Sequence, residues 1–289
     1  MKPAPFDYVA AHSASEAAAL LATHGSEARV LAGGQSLVPM LNLRLARPGV
    51  LVDINGAADL DYVRETDGVL AVGAVARQRA LERWAVGRMP LVGEVMGQVG
   101  HTAIRNRGTV AGSIAHGDPA AELPALLLCL DGAVVTRRGT SERIVDSDRL
   151  YLAPLTTSLE AGELVTEVRF RLLPPSTGWG FAEVARRHGD FALAGAIATL
   201  RCDQEGSLAQ VRLAMFGVGA TPVRARAAEA LLSGRAPTAA RLAEASRAAA
   251  AELSPDSDLH ATADYRRRVG AVLAERTLTA ALGRARGPR

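Results

Sequence analysis

Apolar residues along the chain fall into short runs of two different periods, separated by glycine, proline and asparagine. Between Ser13 and Gly25 the period is helical: Ser13-Ala14-Ser15-Glu16 has capping-box spacing, an Ala/Leu-rich run follows, and Gly25 stands where a C-terminal cap belongs. Arg29-Val30-Leu31-Ala32 then reads as a short buried strand that stops at Gly33-Gly34. A second strand, Val50-Leu51-Val52-Asp53-Ile54, comes after Asn42-Leu43-Arg44. Val69 to Val72, entered through an Asp67-Gly68 turn, predicts another strand, and residues 80–100 read as mainly helical with a break near Pro90. The apolar run Leu123 to Leu130 predicts a helix with Asp118 as N-cap, Pro119 at its first position and Glu122 in its first turn. Alternation through Leu164 to Leu172 predicts a half-buried strand that closes this unit.

Pro174-Pro175-Ser176-Thr177-Gly178 is the clearest linker. Beyond it, Ala192 to Arg201 and Leu208 to Gly217, joined by Asp203-Gln204-Glu205-Gly206, predict an antiparallel hairpin. Three Ala/Leu/Arg-rich helices follow, near 224–233, 238–253 and 264–283, and their alanine stripes are helix filling without chemistry. The pattern is α+β.

Composition narrows the classes. At 289 residues the chain has room for two domains or one large one. No run approaches the ~18 apolar residues of a membrane span, and Met1-Lys2-Pro3-Ala4-Pro5-Phe6 lacks the apolar stretch of a signal peptide. A cytoplasmic location is expected. Cys129 and Cys202 are far apart with no CxxC pairing, and the six histidines show no metal-ligand spacing. The expectation is no metal site and no cluster held by this chain. The net charge is only +3, with Lys2 the only lysine and aromatics at 4%, so the basic-aromatic surface that nucleic acid needs is missing. The basic end, Arg284 to Arg289, reads as a solvated tail.

Two glycine-rich segments carry the chemistry: Ala32-Gly33-Gly34-Gln35-Ser36-Leu37, and Arg105-Asn106-Arg107-Gly108-Thr109-Val110-Ala111-Gly112-Ser113-Ile114-Ala115-His116-Gly117-Asp118-Pro119. An oxyanion must come within hydrogen-bonding distance of several main-chain amides, and a Cβ on the turn would block it. Either segment alone also reads as a tight turn. Two of them in one chain point to a long ligand anchored twice, such as a dinucleotide. The first lacks the third glycine of G-x-G-x-x-G and a following helix, and no G-x₄-G-K-[ST] occurs, which disfavours a Rossmann site and a P-loop. What is left is a non-Rossmann dinucleotide site in which Ser36, Thr109 and Ser113 add hydroxyls to the amides.

These two segments, together with Arg186-Arg187-His188-Gly189-Asp190-Phe191-Ala192, resemble the FAD-binding medium subunit of molybdenum hydroxylases, the family of aerobic carbon monoxide dehydrogenase, quinoline oxidoreductase and the flavin part of xanthine dehydrogenase. The resemblance spans nearly the whole chain. It implies a p-cresol methylhydroxylase (vanillyl-alcohol oxidase) type FAD domain over residues 1–175, with subdomains 1–55 and 56–175, and a C-terminal domain over 176–289 with a small antiparallel sheet and a helical bundle. The FAD pyrophosphate would lie between Ala32, Gly33, Gly34, Gln35, Ser36 and Leu37 on one side and Thr109, Gly112 and Ser113 on the other, with His116 in the same segment. Glu122 matches the family's acidic residue for the adenosine ribose, and serves equally well as a carboxylate favouring a helix N-terminus. Glu163-Leu164 would lie by the flavin ring, and Arg186 or Arg187 would stabilise an anionic reduced flavin unless it is a surface charge. Phe191 would pack near the isoalloxazine or be a plain core residue. One departure stands out: the family's T-[IL]-G-G-[NDS] is Thr109-Val110-Ala111-Gly112-Ser113 here, which places any left-handed geometry at Ala111 in question.

With no cluster-forming cysteines and no molybdenum ligands, the resemblance implies partners: a small [2Fe–2S] subunit that passes electrons to FAD and a large molybdopterin subunit, arranged as a dimer of heterotrimers. Two other readings stay open, a stand-alone FAD-dependent reductase of the UDP-N-acetylenolpyruvoylglucosamine type and a non-catalytic scaffold. The substrate belongs to another chain in the leading reading, so carbon monoxide, aldehydes, purines and N-heterocycles are all open.

Overall fold

The computed structural model describes residues 2–287. Strands β1 (Asp7–Ala10) and β2 (Ala28–Leu31) both run parallel to β3 (Val50–Asp53), which lies between them. The crossover from β1 to β2 is α1 (Ala14–His24), and its ends follow local chemistry: the Ser13 side chain accepts from the Glu16 amide, and Gly25 leaves the helix at φ 52°. The Glu16 carboxylate reaches one residue further than a capping box would, accepting from the His12 amide at 2.7 Å. Between β2 and β3 the chain makes α2 (Leu37–Asn42). The sequence reading placed no helix after the first glycine segment; Pro39 conceals one, and it is tolerated because it falls in the first turn.

The next stretch contains β4 (Val63–Thr66) and β5 (Val69–Gly73), joined through Asp67 and Gly68 at positive φ, then α3 (Gln78–Ala85), α4 (Pro90–Gln98), α5 (Thr102–Arg105), α6 (Val110–His116) and α7 (Glu122–Cys129). It ends with β6 (Ala133–Arg138), β7 (Ser141–Asp146), α8 (Ser147–Leu150), the hairpin of β8 (Tyr151–Ala153) and β9 (Thr156–Thr157), and β10 (Leu164–Arg171). The sheet order is β4-β5-β10-β6-β7, antiparallel throughout. Central β10 is buried along nearly its whole length, not half-buried as its alternation predicts. Its polar positions are covered because they are paired: Thr166 Oγ1 donates to the Val135 carbonyl at 3.2 Å, and Glu167 accepts from Tyr62 at 2.7 Å and Arg169 at 2.5 Å.

Helix α7 starts three residues later than the sequence predicts. Asp118 is not its N-cap; its Oδ1 accepts from the Ala120 amide at 2.9 Å and closes a turn ahead of the helix. Every residue of α7 is buried, as expected of a helix that is apolar all round.

The last part is a four-stranded antiparallel sheet, β11 (Gly178–Val184), β12 (Ala194–Cys202), β13 (Leu208–Phe216) and β14 (Val223–Arg224), whose centre is the predicted hairpin. Helices α9 (Arg226–Leu232), α10 (Ala239–Ala251) and α11 (Ala263–Arg286) pack with it. The basic end is not a free tail up to Arg286: Arg284 belongs to α11, lies 3.6 Å from the centre of the Trp179 ring and donates to the Trp179 carbonyl at 2.6 Å. Pro288 and Arg289 lie outside the described residues.

Buried Arg224 ties this last sheet to the C-terminal end of α7. It pairs with Glu229, with Asp131 at 2.8 Å and with the Leu128 carbonyl at 3.1 Å, while Arg212 holds the other Asp131 oxygen at 2.8 Å. Replacing Arg224 with alanine takes the only arginine partner among the described residues from Glu229 and leaves Asp131 to Arg212 alone. The expected loss is about 3–5 kcal/mol, read as a lower urea midpoint in equilibrium unfolding.

Candidate functional site

The two glycine segments meet. A Cβ built on Gly33 would lie 2.5 Å from the Arg107 carbonyl oxygen, 2.7 Å from Gly108 Cα and 2.9 Å from the Thr109 nitrogen. The first segment therefore rests directly on the backbone of the second, and only a residue without a side chain fits there. Gly34, at φ 72°, turns the chain away into α2.

This contact leaves amides free. From Gly33 to Leu37 the main-chain N–H groups donate to nothing among the described residues; Val38, which bonds the Gly34 carbonyl at 3.0 Å, is the first engaged. A cavity of about 400 Å³ opens at the first three of them, lined by Ala32, Gly33, Gly34 and Gln35 with Asp53, Asn55 and Arg107. Gln35 folds back, its Nε2 donating to the Gly33 carbonyl at 3.1 Å. The Ser36 and Ser113 hydroxyls have no partner among the described residues, whereas Ala32 offers its carbonyl to Asn55 at 2.8 Å and Leu37 begins α2. A larger cavity of about 520 Å³ lies elsewhere, between the Asp67-Gly68 turn and β12 to β13, and it touches neither segment.

The second segment behaves differently from the simple expectation. Thr109 is the N-cap of α6, and its Oγ1 accepts from the Gly112 amide at 3.0 Å, so that amide is engaged inside the protein. Ser113 donates its amide to the Thr109 carbonyl at 3.3 Å. The question raised by Ala111 is resolved: it sits in the first turn of α6, away from positive φ, with its methyl buried in the core. His116 closes α6, half-buried, before left-handed Gly117.

Glu122 is 5% exposed, and its carboxyl is pushed up to about 8 by burial, against a hydrogen bond to its own amide that lowers it and with smaller contributions from the charges of Glu183 and Asp118 that raise it. It is thus both the first-turn carboxyl of α7 and a buried acid. Glu183, on β11, escaped the sequence reading because a single Glu in an alternating strand carries no motif. Its Oε2 is buried without a partner, and burial pushes the group up to about 7.

The remaining candidates divide by exposure. The Leu164 side chain is core, so only its main chain can face a ligand. Neighbouring Glu163 is held at about 2 because hydrogen bonds from Arg143 and Thr136 outweigh the effect of burial. Phe191 is 60% exposed, which excludes the core reading. Arg187 is on the surface and pairs with Asp190 at 3.3 Å, and Arg186 meets His260 at 2.9 Å. The loop carrying them is pinned to the end of α4 by His188 against Gln98 at 3.1 Å, and Gly189 packs on His101. Among the described residues no group of His, Cys, Asp or Glu could hold a metal ion, and no helix is long and apolar enough to cross a membrane.

Free amides in a row, a cavity beside them and Arg107 of the second segment in its lining are what a two-loop dinucleotide-binding protein would present. Residues 4–172 match the model of the FAD binding domain in molybdopterin dehydrogenase, and 179–281 match the C-terminal domain of the CO dehydrogenase flavoprotein. Over 288 residues the chain is 41% identical to the 6-hydroxypseudooxynicotine dehydrogenase complex subunit alpha of Paenarthrobacter nicotinovorans, covering 99% of this chain and 97% of that one. It is 35% identical to the carbon monoxide dehydrogenase medium chain of Hydrogenophaga pseudoflava, covering 98% and 99%. A solved carbon monoxide dehydrogenase from H. pseudoflava superposes with a TM-score of 0.95 at 37% identity over 98% of this chain and 99% of that one, and quinoline 2-oxidoreductase from Pseudomonas putida 86 with 0.91 at 34% over 99% and 100%. The chain belongs to the family of FAD-binding flavoprotein subunits of molybdopterin dehydrogenases, and it is an oxidoreductase subunit.

Two outcomes are expected. Gly33→Ala should force the segments apart, at about 1–3 kcal/mol of stability, and lower FAD retention measured by flavin absorbance on the purified chain. For Glu122 the sign follows from the raised value. Between about 4.5, its ordinary value, and about 8 the folded chain holds a proton that the unfolded chain has released, so stability falls as pH rises through that window. Glu122→Gln should flatten this slope in urea unfolding of the FAD-free chain between pH 5 and pH 8.

Proposed function

We propose that the chain is the electron-transfer subunit of a heterotrimeric molybdenum hydroxylase, taking electrons from a [2Fe–2S] subunit and passing them to an external acceptor such as oxygen or a quinone. The observation that carries the reading is the unbonded amide run Gly33 to Leu37, which starts where Gly33 packs on the Arg107–Thr109 backbone with no room for a Cβ. In this reading residues 1–175 form a p-cresol methylhydroxylase type FAD domain with subdomains 1–55 and 56–175, and 176–289 form the C-terminal domain. The partners are the small [2Fe–2S] and large molybdopterin subunits in a dimer of heterotrimers, in the cytoplasm. The relatives' names, carbon monoxide dehydrogenase medium chain among them, support a subunit role.

The residues present fit FAD. Gly33, Gly34, Gln35, Ser36 and Leu37 offer amides and a free hydroxyl to the diphosphate, and Ser113 offers a second hydroxyl from α6. Thr109 orients this side by capping α6 through the Gly112 amide. Glu122, protonated near neutral pH by its burial, donates to a ribose oxygen or accepts from a ribose hydroxyl. The Leu164 main chain, Arg187 and Phe191 border the flavin ring, with Phe191 shielding it and Arg187 favouring negative charge. FAD, when bound, supplies the redox chemistry, and the protein supplies binding, orientation and electrostatics.

Purification from the native host tests the assembly: iron–sulfur and molybdenum-containing chains should co-purify, and their absence would overturn it. Rapid bleaching of the isolated chain by NADPH would favour the reductase reading instead. Ser36→Glu places a carboxylate where the diphosphate is bound. It should weaken FAD binding by about 100-fold, since like charges brought together cost several kcal/mol, in a fluorescence titration of the FAD-free full-length chain.

A further inference from the structure

The two glycine segments come from distant parts of the chain, and their packing at Gly33 sets only how closely they approach. Something else must stop them from opening. The polar contacts that can do so form one continuous series. Tyr8 Oη donates to Asp53 Oδ2 at 2.6 Å, and Asp53 Oδ1 accepts from the Asn55 amide at 2.8 Å and from Asn55 Nδ2 at 2.6 Å. Asn55 Nδ2 also donates to the Ala32 carbonyl at 2.8 Å, at the root of the first segment. Asn55 Oδ1 in turn accepts from Arg77 Nη2 at 2.6 Å, and Arg77 Nη1 donates to the Arg107 carbonyl at 2.7 Å. That carbonyl is the one against which Gly33 rests.

Arg77 is placed to span the two sides. It is the N-cap of α3, its backbone bridges Thr109, and the Gln78 amide beside it bonds the Gly108 carbonyl at 2.9 Å. One guanidinium nitrogen reaches the first segment's relay and the other reaches the second segment, a reach that depends on a rigid planar fork. Asn55 and Arg107 line the cavity above the free amides, and Arg77 does not.

We infer that Arg77 is a positioning residue for FAD: acting through Asn55 and the Arg107 carbonyl, it holds the two glycine segments at the separation the diphosphate needs, without touching the dinucleotide. The inference rests on the proposed placement of FAD between the segments. Its energetic form is a population: if losing Arg77 leaves the closed arrangement occupied about a tenth of the time, apparent affinity falls about tenfold.

The test is FAD titration of the full-length, FAD-free chain by flavin fluorescence, with melting temperature recorded beside each dissociation constant. Arg77→Gln is expected to weaken FAD by about tenfold or more. Arg77→Lys should do nearly as badly, because one ammonium cannot span both oxygens, and Asn55→Asp should also weaken binding because it keeps an acceptor for Arg77 but loses the donor to Ala32. Arg212→Gln, at the junction with Asp131 and away from both segments, calibrates the effect of lost stability alone. Wild-type affinity in Arg77→Gln or Arg77→Lys would overturn the inference. So would an affinity loss in Arg212→Gln equal to that of Arg77→Gln at the same drop in melting temperature. If Ser36→Glu leaves FAD binding unchanged, the placement of FAD fails and this inference with it; if Ser36→Glu abolishes binding and Arg77→Gln does not weaken it, Arg77 alone is excluded.

Discussion

The site depends on a backbone-to-backbone contact. Gly33 lies against Arg107, Gly108 and Thr109 so closely that no Cβ fits, and the amides that follow are unpaired because Gly34 and Gln35 lie in the turn and Ser36 and Leu37 open α2, where the first helical N–H groups have no acceptor. Unpaired main-chain donors are costly to bury without a partner. They are kept here at the edge of a cavity, where a diphosphate can satisfy them together. In the proposed placement of FAD the binding surface is made of peptide groups, and the nearby side chains serve mainly to keep those groups in place. Arg77, Asn55 and Asp53 do this from the flank, and Thr109 does it by capping α6.

A second constraint acts through α7. Because every residue of this helix is buried, it can connect the five-stranded sheet to the four-stranded one, and it carries Glu122 at its start and the Arg224 junction just past its end. The turn before it is fixed to the last sheet by the Gly217 amide, which bonds the Pro119 carbonyl at 2.8 Å. Buried Arg266 holds the Gly217 and Leu193 carbonyls from the far side. Glu122 therefore belongs to a rigid part of the molecule, which is what a buried carboxyl needs if its raised value is to be stable rather than relieved by water entering.

How much the sequence disclosed depended on whether the deciding interaction was local. The ends of α1, the Asp67-Gly68 turn, the β12 to β13 hairpin and the three last helices could be read because each is set by neighbouring residues. The backbone freedom of the glycine segments is local in the same way, and Gly34 takes the positive φ that its residue type allows. What escaped depends on distant partners. Central β10 alternates in sequence, yet Tyr62, Arg169 and the Val135 carbonyl let its polar side be buried. Asp118 and Pro119 have the composition of a helix start, but the local Asx turn took the aspartate and moved the helix on to Glu122. Arg77 and Asn55 belong to no motif, and only the fold brings them between the two segments.

The other titratable groups of the core are already committed. Glu167 is taken by Tyr62, Arg64 and Arg169, Glu163 by Arg143 and Thr136, and Cys129 is pushed up to about 12, chiefly by burial, and so is inert as a thiolate. Glu122 and Glu183 are the exceptions among the carboxyls, both raised by burial and neither held by an arginine among the described residues, and the buried Tyr151 hydroxyl, raised by burial as well, has no partner among them either. The two glycine segments present peptide amides, two unpaired hydroxyls and a brace of fixed geometry. Electron transfer through a bound cofactor asks chiefly for position, and position is what these residues provide.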